Sequence, residues 1–121
     1  HQAFAEDAFK FLDTMGDQYD LIILDPPAFA KHKKVLNNAL QGYRKLNAKA
    51  FEKIRPGGIL FTFSCSQVVS KENFRLAVFS AAAQSGRNVR ILHQLTQPAD
   101  HPVNIYHPEG EYLKGLVLYV E

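Results

Sequence analysis

Apolar residues fall in blocks along the chain, and their spacing changes from one block to the next. Residues 6–15 place Phe9, Leu12 and Met15 on one helical face, with Gly16 as the stop. The preceding residues 1–5 read as the end of a strand. The stretch Tyr19–Leu24 then carries an uncharged apolar run between Asp20 and Asp25, the pattern of a buried parallel strand. After a loop over residues 31–34, a long helix is predicted. Its apolar face is Leu36, Leu40, Tyr43, Ala50, Phe51 and Ile54, and its polar face carries Arg44, Lys45, Lys49 and Lys53.

Pro56-Gly57-Gly58 predicts a turn from that helix into a second buried strand, Ile59-Leu60-Phe61-Thr62-Phe63, which ends at Ser64-Cys65-Ser66. Ser70 is placed to cap a helix over residues 70–85, with Phe74, Ala77, Val78 and Ala81 inward and Gly86 closing it. Residues 88–94 alternate as a third strand. A Pro- and His-rich stretch over 97–112 leads to a last strand at 116–120.

Two strand-helix-strand units imply a parallel sheet with right-handed connections. The last two strands have no helix between them, so they should pair antiparallel. The expected fold class is therefore α/β, a short parallel sheet with an antiparallel C-terminal strand in one domain, 1–121. That sheet reads as incomplete, because Tyr19–Leu24 would sit centrally and nothing supplies its outer neighbour. An open strand edge recruits partners, so self-association is expected.

Composition narrows the class without changing the fold. Hydrophobic residues make up 46% and charged ones 21%, as in a globular domain. No apolar run approaches the roughly 20 residues of a membrane span, and no signal peptide is visible. The start at His1-Gln2-Ala3-Phe4, without an initiating Met, reads as mid-domain. One cysteine excludes an internal disulfide framework and fits a reducing, cytoplasmic setting. The five histidines are scattered, so no metal site is expected.

The net charge of +2 conceals an asymmetry: residues 1–30 carry net −5, residues 31–60 net +7, and the rest balance. A basic segment just after Asp25 suits a polyanion such as RNA, although a solvated helix face gives the same pattern.

The chemistry gathers at strand ends. In Asp25-Pro26-Pro27 an acid is followed by two residues that end the strand and fix the exit rigidly. Open α/β sheets bind ligands at such C-terminal strand ends. The alternative is a plain terminating turn. Cys65 lies at the end of the next strand and so is expected to share one crevice with Asp25. By residue type a free cysteine is a small buried hydrophobe or a nucleophile; a nearby cation or helix N-terminus would raise its thiolate fraction. His101 reads as an ordered loop residue. Neither a Gly-x-Gly-x-x-Gly turn nor a phosphate-binding loop is present.

Taken in order, Asp7-Ala8-Phe9, the run Tyr19 to Phe29 with Asp25-Pro26-Pro27, Arg55-Pro56-Gly57-Gly58, Phe63-Ser64-Cys65-Ser66, Asp100-His101-Pro102 and Glu111-Tyr112-Leu113-Lys114 span nearly the whole chain. Together they resemble a bacterial large-subunit ribosomal RNA (cytosine-C5) methyltransferase. That family depends on S-adenosylmethionine and has the Rossmann-like class I methyltransferase fold. The Asp-Pro-Pro and Pro-Gly-Gly motifs are shared across many methyltransferases; Ser64-Cys65-Ser66 and the C-terminal block narrow the likeness.

The resemblance implies roles. Cys65 would be the nucleophile that adds to C6 of cytosine, and Asp25 the acid that hydrogen-bonds the base. Pro26, Pro27 and Phe29 would line the substrate side. Asp7 and Ala8 would meet the adenine of the cofactor, with Asp25 also on the cofactor side. It further implies that the chain is the C-terminal part of the domain. The glycine-rich loop, the ribose-binding acid, their two strands and an upstream RNA-binding domain are absent, so weak cofactor affinity is expected, and the full protein is expected to be the enzyme while this part alone is inactive. Pro27 stands where some RNA cytosine-C5 methyltransferases carry a second cysteine.

Two other readings fit the same residues: an N-methyltransferase acting on guanine or adenine with a structural Cys65, and a non-catalytic RNA-binding module using Arg44, Lys45, Lys49 and Lys53.

Overall fold

Asp7 ends an opening coil by accepting the Lys10 backbone N–H at 3.1 Å, and helix α1 (Ala8–Thr14) starts from that cap. The computed structural model describes residues 1–16, 19–29 and 32–121. Asp17 and Lys31, in the turn and loop expected there, lie outside the described residues. Strand β1 (Tyr19–Leu24) is followed by helix α2 (Leu36–Lys53), strand β2 (Ile54–Ser64), helix α3 (Lys71–Ser85), and strands β3 (Val89–Leu95) and β4 (Lys114–Val120). Residues 1–5 form no strand, which corrects the expectation drawn from Ala3-Phe4-Ala5.

The sheet order is β1-β2-β4-β3, with β1 parallel to β2 and β4 antiparallel to both of its neighbours. The second strand-helix-strand unit therefore leaves a gap of one strand, and the last strand in sequence fills it. β4 is buried along nearly its whole length, consistent with this interior position.

Pro56-Gly57-Gly58 is not a turn between elements but part of β2. Tyr19 pairs with Ile54 and Leu21 with Ile59, so four residues of β2 bulge opposite one of β1. Gly57 takes φ 82° within this bulge, a conformation glycine adopts without steric penalty. At Gly58 a side chain would lie 2.8 Å from the Arg55 carbonyl and 3.0 Å from that of Asp20.

Helices α2 and α3 supply the core on one side of the sheet. Tyr43, Leu46, Ala50 and Phe51 of α2 and Phe74, Ala77, Val78 and Ala81 of α3 cluster with Leu24, Leu60, Leu116, Leu118 and Val120 of the strands. Helix α3 matches its prediction closely. Ser70 accepts the Asn73 N–H at 3.0 Å, and Gly86 closes the helix at φ 69°. Arg87 then donates to the carbonyls of Phe51, Ile54 and Glu121, tying the end of α2 to the end of β4.

β1 corrects the sequence picture in one respect: it is not buried on both faces. Leu21 and Ile23 are 53% and 60% exposed, and they share a face with Ile59 and Phe61, their register partners on β2. Among the described residues, no helix is long and apolar enough to cross a membrane.

Candidate active site at the ends of β1 and β2

Parallel pairing of Leu24 with Thr62 brings the exits of β1 and β2 to the same end of the sheet. From there Asp25 and Pro27 face solvent, while Pro26 and Cys65 are half-buried. Cys65 Sγ lies 4.0 Å from the Pro26 carbonyl oxygen, at the outer limit of a thiol contact. The acid-proline corner and the thiol thus meet across one crevice.

Tyr43 on α2 holds the two exits together from below. Its hydroxyl accepts a hydrogen bond from Ser64 Oγ at 2.9 Å and also bonds the Phe29 backbone. Ser64 Oγ in turn accepts the Ser66 N–H at 3.4 Å, bracketing Cys65. Burial pushes the Tyr43 phenol above its ordinary value, opposed by the bonds from Ser64 and Phe29. The Phe29 ring packs edge-on against Tyr43 at 4.7 Å, and Gly42 leaves room for it: a side chain there would lie 3.3 Å from the ring. Phe29 is thus an anchor for the loop, with its ring directed at α2.

Lys114 of β4 is tied to the turn that carries the thiol. It stands opposite Ser64, is only 7% exposed, and donates from Nζ to the Ser66 carbonyl at 2.6 Å. Desolvation lowers its pKa, with the charge of Cys65 a smaller opposing influence. Lys114 stands within the C-terminal motif and has no role among the sequence-based expectations. The available signal was a lysine heading an otherwise apolar strand. Tyr43 belongs to the apolar face predicted for α2, and spacing alone does not reveal the bonds of its hydroxyl.

The loop over 97–112 is fastened beside this corner. Gln67 donates to the Glu109 carbonyl at 3.2 Å, and Lys71 pairs with Glu111 at 2.9 Å. His101 is engaged with the Tyr112 hydroxyl at 2.8 Å.

Asp7 and Ala8 sit apart from the thiol, at the start of α1. Ala8 lines an open trough of about 440 Å³ between α1 and β1, the edge strand among the described residues, together with Gln2, Phe4, Glu6, Phe11 and Tyr19. Asp7 Oδ1 is occupied by its cap bond to Lys10. The basic face of α2 is partly engaged: Arg44 bonds Gln41 and Gln84, and Lys49 pairs with Asp13, while Lys45 is exposed. Among the described residues, no group of three or more His, Cys, Asp or Glu is arranged to hold a metal ion.

No protein-family model matches the chain. It is similar to proteins named ribosomal RNA large subunit methyltransferase I. One from Tolumonas auensis is 47% identical over 116 residues, covering 93% of this chain and 29% of the relative. One from Aeromonas hydrophila is 44% identical over 120 residues, covering 97% of this chain and 30% of the relative. The chain thus spans less than a third of the length of these curated relatives. Among solved structures it resembles SMU.776, assigned as a methyltransferase and crystallised with SAH, at a TM-score of 0.71 and 24% identity. That match covers 93% of this chain and 29% of the other. A SAM-dependent methyltransferase assignment from Streptococcus mutans matches at TM-score 0.70 and 21% identity, covering 93% and 28%. The likeness to these structures establishes the Rossmann-like methyltransferase fold for this α/β sheet.

Proposed function

We propose that this chain is the C-terminal part of the catalytic domain of an S-adenosylmethionine-dependent RNA methyltransferase acting on cytosine C5 of large-subunit ribosomal RNA in the cytoplasm. The observation that carries the reading is the contact between Cys65 and the Pro26 carbonyl, since it puts a thiol beside an acid-proline corner on adjacent strand ends. The relatives' names support the ribosomal RNA assignment.

In this reading the Cys65 thiolate adds to C6 of the flipped-out base, forming a C–S bond and making C5 nucleophilic. Asp25, exposed at the corner, hydrogen-bonds the base near N3 and favours its protonation as the adduct forms. The cofactor supplies the methyl group accepted at C5. Loss of the C5 proton then expels Cys65 and restores the double bond. Pro26 and Pro27 fix the height of the base, and Phe29 holds their loop to Tyr43.

The residues present fit one end of the cofactor. Asp7 keeps one carboxylate oxygen outside its cap bond to Lys10, and Ala8 follows it at the head of α1, the two positions that would meet the adenine. Among the described residues β1 lies at the edge of the sheet with Leu21 and Ile23 exposed, which supports self-association of this chain.

The test is substrate RNA carrying 5-fluorocytidine, which blocks the final elimination. A covalent adduct formed by the full-length protein with S-adenosylmethionine and lost in Cys65→Ala is expected. Methylation of guanine or adenine without any adduct would overturn the cytosine-C5 assignment in favour of N-methylation.

A further inference from the structure

We propose that the cleft between the first turns of α3 and the adjoining ends of β3 and β4 is a phosphate subsite for the RNA strand. In it Lys71, Arg75 and Lys114 hold a backbone phosphate next to the nucleotide whose base enters the Cys65 crevice. This rests on the RNA methyltransferase reading above and adds to it the place where the strand is gripped.

The cleft has a volume of about 250 Å³, ample for a phosphate group. Phe74 and Leu116, both buried, line it with apolar surface, and the exposed Gln94 and Thr96 add polar groups. Lys71 and Arg75 lie four residues apart on α3 and so share one helix face. Lys114 meets them from β4, 7% exposed, with its Nζ donating to the Ser66 carbonyl at 2.6 Å. An ammonium has three donors, so Lys114 keeps capacity for a further acceptor. Desolvation disfavours its charge, and so does the Lys71 ammonium. A bound anion offsets both costs. The nearby acids leave this need unmet: Glu111 pairs with Lys71 at 2.9 Å, and Glu72, which also lines the cleft, is exposed. Among the described residues neither Arg75 nor Lys114 forms an ion pair.

The cleft lies at the same end of the sheet as the crevice. Ser64 pairs with Lys114 and Leu95 with Gly115, so β2 and β3 end where β4 begins. Cys65 meets Pro26 on the β1 side of β2, and Lys114 stands on the other side. From β1 to β4 is two strand spacings, about 10 Å, within reach of neighbouring nucleotides on one strand. A base held between Pro26 and Cys65 therefore leaves its backbone to cross the end of β2 toward Lys114. There the Arg75 guanidinium supplies a fork matched to two phosphate oxygens, and the lysines supply point charges. A small free anion would fill the cleft without touching the crevice; an RNA strand occupies both.

The test is binding of a fluorescent single-stranded oligocytidylate to the full-length protein, followed by anisotropy across a range of salt. Arg75→Gln and Lys114→Gln are each expected to weaken binding by about three- to tenfold and to lower the slope of log K against log salt by about 0.7. Arg75→Lys should recover most of the loss. Arg90→Gln, at the far end of β3 and exposed, removes the same charge and should change affinity less than about twofold. Arg75 is exposed, so its variants keep the test if the buried change at Lys114 fails to fold. Equal losses in Arg75→Gln and Arg90→Gln, an unchanged salt slope in Arg75→Gln, or no salt-dependent binding by the parent overturns the proposal. Titration with inorganic phosphate separates the sources of the anion. Saturation that Arg75→Gln abolishes, with oligocytidylate binding unchanged, assigns the cleft to a free anion and also overturns it. None of these readouts needs methyl transfer. Subsite effects without a 5-fluorocytidine adduct count against Cys65 as nucleophile, and an adduct without these effects counts against the subsite alone.

Discussion

Ser64 Oγ donates to the Tyr43 hydroxyl at 2.9 Å, and the same hydroxyl bonds the Phe29 backbone, so one phenol on α2 joins both loops of the crevice. Tyr43 is fully buried, and so is Ser64. Tyr43→Phe keeps the ring contacts with Phe29 and Phe74 and removes only this junction. We expect a loss of about 1–2 kcal/mol in urea unfolding, from the polar groups left without a partner. Adduct formation should slow by more than the stability change explains, because the Asp25 loop would no longer be tied to the Cys65 turn.

Gly58 separates a backbone requirement from a flexible one. A Cβ there would meet the Arg55 carbonyl at 2.8 Å and Ile54 Cγ1 at 2.7 Å, whereas at Gly16 it would meet nothing within 4 Å. Gly58→Ala should destabilise by about 1–3 kcal/mol, and Gly16→Ala should stay within about 0.5 kcal/mol of the parent. Thermal unfolding of the two variants side by side checks the contrast.

Lys114 also sets a pH dependence of stability. Burial lowers its folded pKa below the ordinary 10.5. Its contribution to stability is therefore present above the unfolded value and is lost as pH falls through the folded one. The difference in unfolding free energy between the parent and Lys114→Met should shift in favour of the parent as pH rises through that window toward 10.5. Tyr43 acts in the opposite sense, losing its contribution as pH rises through its raised pKa, but it is common to both proteins. Chemical denaturation across mildly to strongly alkaline pH measures the difference; a flat difference would contradict the burial of the ammonium.

Local signals made some of this structure legible in the sequence. Helix α3 could be read to the residue because Ser70, Gly86 and the spacing of Phe74, Ala77, Val78 and Ala81 act within a few turns. The meeting of Asp25 and Cys65 loops followed from one crossover, since parallel neighbours end at the same side. What escaped depends on distant chain. Nothing near residues 114–120 says that this strand lies between β2 and β3, and nothing near Lys114 says that a lysine there is buried, when the usual lysine is solvated. Likewise Pro56-Gly57-Gly58 has the composition of a turn, yet Asp20 across the sheet turns it into a bulge.

The interior place of β4 bears on how the protein comes to be folded at all. Among the described residues β3 pairs with β4 alone, and β2 has β1 on one side and β4 on the other. During synthesis, therefore, β3 emerges from the ribosome with no strand to join, and it waits until Lys114–Val120 follows. Through that interval the core side of α3 and the open side of β2 have lost neither water nor the chance of a wrong partner. Pairing of β2 and β3 with their shared neighbour thus awaits the short segment Lys114–Val120, the last of these strands in the chain.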